Sequence, residues 1–278
     1  NKFLANIRET EAIIHVLRCF EDPDVTHVEG SVDPVRDAEV IETELMLADM
    51  ESLERQLVNF ERKAKSGDKE TKAQYAFMAS VKSHLDEGQP ARKFEVPDEQ
   101  ITFFKTLGLL TSKPILYVCN VSEQDAGSGN SLSDTVARMA EENEALSVVI
   151  CASIEAEIAQ LESKEEKAEF LSDMGLDEPG LNKIIRAGYD LLNLQTYFTA
   201  GPKESRAWTV RKGASAPEAA GKIHTDFQRG FIKAEVIDIN DYLSLGGEQK
   251  AKESGKLKLE GKDYIVQDGD VILFRFNV

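Results

Sequence analysis

Apolar residues fall along this chain in two textures. The first is a short continuous run. Residues 12–20 read Ala-Ile-Ile-His-Val-Leu-Arg-Cys-Phe, and so unbroken a run predicts a parallel strand buried on both faces. Pro114–Cys119 and Leu146–Cys151 repeat the pattern, with a helical stretch, Ser131–Ala140, between them. A further helical stretch, Glu155–Met174, stops at Gly175. The second texture is a spacing of mostly three or four: Ile41, Leu45, Ala48, Leu53, Leu57, Phe60 and Ala64. Charged residues fill its gaps, among them Glu42, Glu44, Glu51, Glu54, Arg55, Glu61, Arg62 and Lys63. Ser66-Gly67-Asp68 breaks the stripe, Ala73, Phe77, Val81 and Leu85 resume it, and Gly88 and Pro90 end it. Two amphipathic helices joined by a short turn predict an antiparallel coiled-coil arm over 41–110. The plainer alternative is two ordinary helices packed on a core.

The last segment, 195–278, changes texture again. Short strands are predicted at Gln195–Thr199, Ser205–Val210, Phe231–Val236, Tyr264–Val266 and Val271–Arg275, with one helix over Ala216–Phe227 opened by Ala216-Pro217. Gln267-Asp268-Gly269-Asp270 reads as a hairpin turn between the last two strands. Strand, strand, helix, strand, hairpin is a β-grasp pattern. The prediction is thus an α/β unit made of 1–40 and 111–194, interrupted by the arm 41–110 and followed by a small domain.

Composition narrows this picture. The chain has 278 residues, 41% hydrophobic and 30% charged, as an ordinary soluble protein does. It begins at Asn1, which points to processing or to a fragment. No charged-then-apolar leader opens it, and no run of about 18 apolar residues suggests a membrane span. Cys19, Cys119 and Cys151 each lie in an apolar run and read as small buried hydrophobes, which suits a reducing cytoplasm. No spacing suggests a metal site. A net charge of −17 argues against a broad grip on nucleic acid. The charge is uneven, because residues 195–278 hold thirteen basic against twelve acidic side chains. A local basic patch with Arg206, Arg211, Lys212, Lys222 and Lys233 is therefore open to a phosphate backbone.

Candidate chemistry sits where two buried strands end, the place where open α/β sheets bind ligands. Asn120-Val121-Ser122-Glu123 follows the first. A P-loop GTPase usually places Asn-Lys-x-Asp there, the Asn reading N7 and the Asp accepting two guanine donors. Here Glu replaces Asp and the Lys is missing, which predicts relaxed guanine specificity or adenine preference. An ordinary turn after a strand is the bland reading. Cys151-Ala152-Ser153 ends the second strand about 30 residues on, the spacing of consecutive βα units. His27 follows an acidic loop and is open to positioning a water or to a surface role. His15 reads as a core histidine, while His84 lies on the arm and His224 beside basic residues. No Gly-x-x-x-x-Gly-Lys-Ser/Thr occurs, so no phosphate cradle is found.

Several segments together carry a resemblance. Asn1–Ile13, Arg18-Cys19-Phe20-Glu21, Thr43–Asp49, Tyr117–Glu123, Glu178–Asn182, Arg186–Tyr189, Leu194–Gly201, Ala220–Phe227 and Gly261–Val266 resemble, in order, the YchF family of Obg-related P-loop ATPases and GTPases. The likeness runs end to end, with 66–105 its most divergent part. It implies that 1–40 and 111–194 are the remainder of a P-loop nucleotide-binding domain and that 195–278 is a TGS domain. It implies ATP as nucleotide, GTP as a second one, and Mg²⁺ whose ligands, like the P-loop and switches, precede Asn1; the chain alone is then expected to be inactive. Asn120, Val121 and Glu123 match the base-recognition motif, Cys151, Ala152 and Ser153 the loop beside it, and His27 a catalytic loop histidine. The implied setting is cytoplasmic, with the ribosome, its large subunit above all, as partner and RNA contacts through the TGS domain and arm. The reading from another class is an RNA- or protein-interaction module that works without nucleotide.

Overall fold

A computed structural model describes residues 2–22, 30–66, 69–201 and 204–277. His27 and the Gly67-Asp68 break lie outside the described residues. The fold is mixed α/β and divides into two compact units, Asn1–Leu191 and Leu192–Val278.

The first unit runs α1 (Lys2–Arg8), β1 (Ile13–Arg18), α2 (Pro34–Ser66), α3 (Lys69–Asp86), α4 (Ile101–Thr106), β2 (Ile115–Asn120), α5 (Ser131–Glu142), β3 (Leu146–Ile150), α6 (Ala152–Ile158), α7 (Lys164–Asp173) and α8 (Gly180–Leu191). Its strands are parallel in the order β1-β2-β3. β2 is central and buried except at Asn120. The face bearing Leu17, Tyr117 and Cys119 packs on Ala38 of α2 and on Val136 and Ala140 of α5. His15 lies on that face with its ring 5.9 Å from Tyr117, and burial pulls its pKa down. The strand expected to be buried on both faces is not. β1 is at an edge of the described sheet, and Ile14 and Val16 are 53% and 60% exposed. An apolar run reports the strand; its neighbours decide how many faces are covered.

The long helix begins at Pro34, ahead of its apolar stripe. Pro34 opens it, and Asp33 Oδ1 accepts from Arg36 N at 3.1 Å, a proline start with an acidic N-cap. α2 packs on α3 through Leu53, Phe77, Met78, Val81 and Leu85. The pair has a third layer, because Phe94, Phe103 and Phe104 each meet Phe77 with centroids 5.8 to 6.2 Å apart. His84 Nε2 lies 3.1 Å from Pro90 O, where the chain turns back. One core position of α2 is polar: Asp49 is fully buried. Its carboxylate accepts from Leu110 N at 2.7 Å, Thr111 N at 2.8 Å and Thr111 Oγ1 at 2.8 Å. Arg8 stands 3.7 Å away.

Glu155–Met174, expected as one helix, is two. Ser163 ends the gap between α6 and α7 with a reciprocal cap to Glu166, a local signal that outweighs continued apolar spacing.

The second unit holds β4 (Leu194–Ala200), β5 (Ser205–Arg211), α9 (Ala216–Ile223), α10 (Thr225–Arg229), β6 (Phe231–Asp238), α11 (Ile239–Leu245), α12 (Glu248–Glu253), β7 (Lys258–Glu260) and β8 (Asp270–Phe276). The sheet order is β5-β4-β8-β6-β7, with β4 and β8 parallel and the other pairs antiparallel. Ala216, Ala219 and Ala220 of α9 pack on Tyr197, Ala234, Ile272 and Phe274. The helix expected over Ala216–Phe227 breaks at His224, whose backbone is extended and whose Nδ1 accepts from Asp226 N at 3.2 Å. Tyr264–Val266 is not a ladder strand, since its one bridge joins Ile265 to Ser215. Gln267–Asp270 is therefore no hairpin. It is a turn tied by Asp270 Oδ2, which accepts from Gln267 N and Tyr264 OH at 2.8 Å each. The missed partner of β6 is β7, three residues too short to show a pattern.

Among the described residues no helix is long and apolar enough to cross a membrane. Cys19, Cys119 and Cys151 are buried free thiols.

Candidate nucleotide-base site

The register of β2 and β3 builds this site. Asn120 pairs with Ile150, so the two strands end side by side. Val121 N then donates to Ile150 O at 2.9 Å. The carboxyl end of β1 joins them, Cys19 N donating to Asn120 O at 2.8 Å. Three chain segments distant in sequence thus meet at one rim.

The loop after Asn120 is stapled from below. Asn130 caps α5 through Oδ1, which accepts from Leu132 N and Ser133 N. Its Nδ2 donates to Cys19 O and to Asp125 Oδ2, both at 2.8 Å. Ser122 Oγ donates to the same Asp125 oxygen at 2.9 Å. These donors hold the Asp125 carboxyl below the usual range, the Asn130 bond contributing most. On the other side Gly180 lets α8 start against β3. A Cβ there would lie 2.8 Å from Ile150 Cγ2, and Glu155 accepts from Gly180 N and Leu181 N at 2.6 and 3.1 Å.

Between these supports lies a cleft of about 670 Å³, lined by Phe20, Glu21, Asp22, Asn120–Gln124 and Ser153. Five of the six residues predicted from the strand ends act at one place. Asn120 Oδ1 accepts from Ala152 N at 2.9 Å. Ser153 Oγ donates to Glu123 Oε1 at 3.0 Å and sits 3.1 Å from Cys151 Sγ. The sixth, Val121, is buried at 2% exposure and shapes the cleft wall. Phe20 and Arg18, to which the sequence pattern assigned no role in the site, also stand at this rim. The Arg18 guanidinium lies 4.9 Å from the Phe20 ring centroid and its Nε donates to Phe20 O at 3.0 Å. The available signal was an aromatic just past a parallel strand, at the same rim. The described residues contain no cluster of His, Cys, Asp or Glu able to hold a metal ion.

Comparison with known proteins gives this geometry a context. The chain is 54% identical over all 278 residues to the "Ribosome-binding ATPase YchF" of Haemophilus ducreyi and spans 76% of that protein. It is 51% identical to the protein of that name in Bacillus subtilis, again over the whole chain and 76% of the relative. This chain belongs to the YchF family. The rat "Obg-like ATPase 1" is 42% identical, with 71% of its length covered. A family model described as "YchF-GTPase_C: Protein of unknown function (DUF933)" matches residues 194–277. Among solved YchF-family structures, the Schizosaccharomyces pombe YchF GTPase superposes with a TM-score of 0.83 at 33% identity, over 99% of this chain and 75% of its own. A GTP-binding protein from Pyrococcus horikoshii shares the fold at a TM-score of 0.60 and 19% identity.

The segment Asn120-Val121-Ser122-Glu123 is fixed by its surroundings before any ligand arrives. With Oδ1 committed to Ala152, the Asn120 amide turns only donor hydrogens outward. That suits the N7 acceptor of a purine. A cleft of this size admits a nucleoside, so the residues present fit the base end of a nucleotide.

Proposed function

We propose that this chain carries the base-recognising and partner-binding parts of an ATPase that works on the ribosome in the cytoplasm as a regulator of translation or of stress responses. ATP is the preferred nucleotide and GTP a second one. The observation that carries the reading is the fixed Asn120 amide, with donors outward, beside a glutamate where guanine readers carry aspartate. The relatives' names, ribosome-binding ATPases, point the same way. The phosphates and Mg²⁺ are held by residues outside these 278, since no Gly-x-x-x-x-Gly-Lys-Ser/Thr occurs among them, so the chain alone does not turn over nucleotide. His27 acts as the loop histidine that orients the attacking water. Residues 1–40 and 111–194 serve as the nucleotide-binding domain, 41–110 as a coiled-coil arm and 195–278 as a β-grasp TGS domain. The arm and TGS domain meet the large subunit.

Titration of ATP and GTP with Mg²⁺, against these 278 residues and against the full-length protein, tests the reading. The expected result is binding by the full-length protein alone, with ATP at least as tight as GTP. A strong preference for GTP sinks the base assignment.

A second reading has its own support. Residues 195–278 are nearly neutral in an acidic chain, and Arg206 stacks 4.1 Å over Trp208, a contact suited to RNA bases and phosphates. On this reading the arm and TGS domain bind without nucleotide. Ribosome pelleting that is salt-sensitive and indifferent to ATP favours it.

A further inference from the structure

We propose that Ser153 is a positioning residue that sets the choice between adenine and guanine by occupying one oxygen of Glu123. The inference rests on the base-site reading above and extends it to a residue that acts through another.

The argument counts hydrogen-bonding groups. Ser153 has one hydroxyl proton, and it goes to Glu123 Oε1 at 3.0 Å. The 3.1 Å contact with Cys151 is then a thiol proton donated to Ser153 Oγ. The chain therefore runs Cys151 to Ser153 to Glu123, and each donor polarises the next. Glu123 Oε2 has no partner among the described residues. On the other side, the Ala152 amide, which could meet a keto oxygen, is spent on Asn120 Oδ1 at 2.9 Å. Among the side-chain groups of Asn120, Glu123 and Ser153, what stays uncommitted is one donor, the Asn120 amide nitrogen, and one acceptor oxygen, Glu123 Oε2; Glu21, Asp22 and Gln124 line the cleft around them.

Adenine presents a complementary pair on one edge, an acceptor at N7 and a donor at its 6-amino group. Guanine needs more. Its O6 asks for a further donor, and its N1–H and 2-amino group ask for two acceptors. With that amide and one carboxylate oxygen already engaged, these residues match guanine less fully than adenine, and mismatched polar groups discriminate more strongly than lost apolar contact does. Glu123 without its tether would regain both oxygens for guanine.

The test measures binding of fluorescent ATP and GTP analogues, with Mg²⁺, to the full-length protein. Ser153→Ala is expected to tighten GTP and to lower the ATP-to-GTP affinity ratio about tenfold, the size of one charge-assisted hydrogen bond. Ser153→Thr, which keeps the hydroxyl, retains the ratio. In a Glu123→Ala background Ser153→Ala changes the ratio no further, whereas a residue that merely supported the loop would still change it. An unchanged ratio in Ser153→Ala, a Thr variant behaving like Ala, or a response persisting without Glu123 each overturns the inference while ATP-preferring wild type leaves the base site standing. Wild type that prefers GTP, or binds neither nucleotide, overturns the base-site reading and this inference together.

Discussion

Asp49 and Glu123 are both carboxylates in the first unit, and their surroundings divide them. Asp49 is fully buried, with two backbone amides and a hydroxyl aimed at it from Leu110 and Thr111. Those donors belong to a segment about sixty residues downstream, so the carboxylate knots α2 to the chain that leads into β2. Glu123 is exposed and, among the described residues, held by a single hydroxyl. One carboxylate is enclosed by three donors and is structural. The other keeps an oxygen free at the rim of a cleft, which is what recognition requires.

Removing the buried carboxylate is the severest test of that contrast. Asp49→Ala strands two buried amides and a hydroxyl and removes the carboxylate beside Arg8, which keeps its bond to Gly108 O. A loss of about 3–5 kcal/mol is expected in urea unfolding, against less than about 1 kcal/mol for Glu123→Ala. Equal losses would erase the distinction. Nucleotide binding should respond at the rim instead: in the full-length protein Asn120→Ala weakens ATP binding about ten- to a hundredfold with little effect on the unfolding midpoint. Gly180→Ala probes the packing of α8 on β3 beside the cleft. Its methyl group meets Ile150 at 2.8 Å, so about 1–3 kcal/mol of stability is lost, with a smaller loss of nucleotide affinity as β3 shifts.

The pH dependence separates them further. Burial, the largest influence on Asp49, raises its pKa despite the donors and Arg8 that lower it. The folded state therefore holds this proton more tightly than the unfolded chain. Stability from Asp49 is full below the ordinary carboxylate range and falls as pH rises through the raised value. Urea midpoints of wild type and Asp49→Asn, compared at steps across that window, should converge as pH rises. Divergence would contradict the assignment. The smallest effect belongs to the exposed pair Arg55 and Glu51, 2.8 Å apart on α2. Arg55→Ala should cost no more than about 0.5 kcal/mol, and less in high salt.

The meeting of the candidate base-site residues was legible where local pattern and topology coincide. A continuous apolar strand ending at Asn120, and a second ending at Cys151 one βα unit later, place both polar clusters at one rim in a parallel sheet. The link from Ser153 to Glu123 was not legible, because it depends on register between residues thirty apart. Asp49 was hidden for the opposite reason. It occupies a core position between Leu45 and Leu53, but a polar letter in an apolar stripe reads as a gap. The second unit shows a third kind of miss. Tyr264–Val266 has strand-like residues, yet β8 already has β4 and β6 as neighbours, so no ladder position beside it remains.

Asn130 is where three pieces of the site are joined, and one side-chain amide does the joining. Its amide nitrogen faces two acceptors, the carbonyl of Cys19 and the carboxylate of Asp125. Spontaneous hydrolysis of that amide would put a negatively charged oxygen against both. Two attractions become two repulsions with the loss of one nitrogen, and the rim that gathers β1, β2 and α5 would loosen without any change in the genetic message. Stored preparations would then lose the geometry of this rim while their helix content looks untouched.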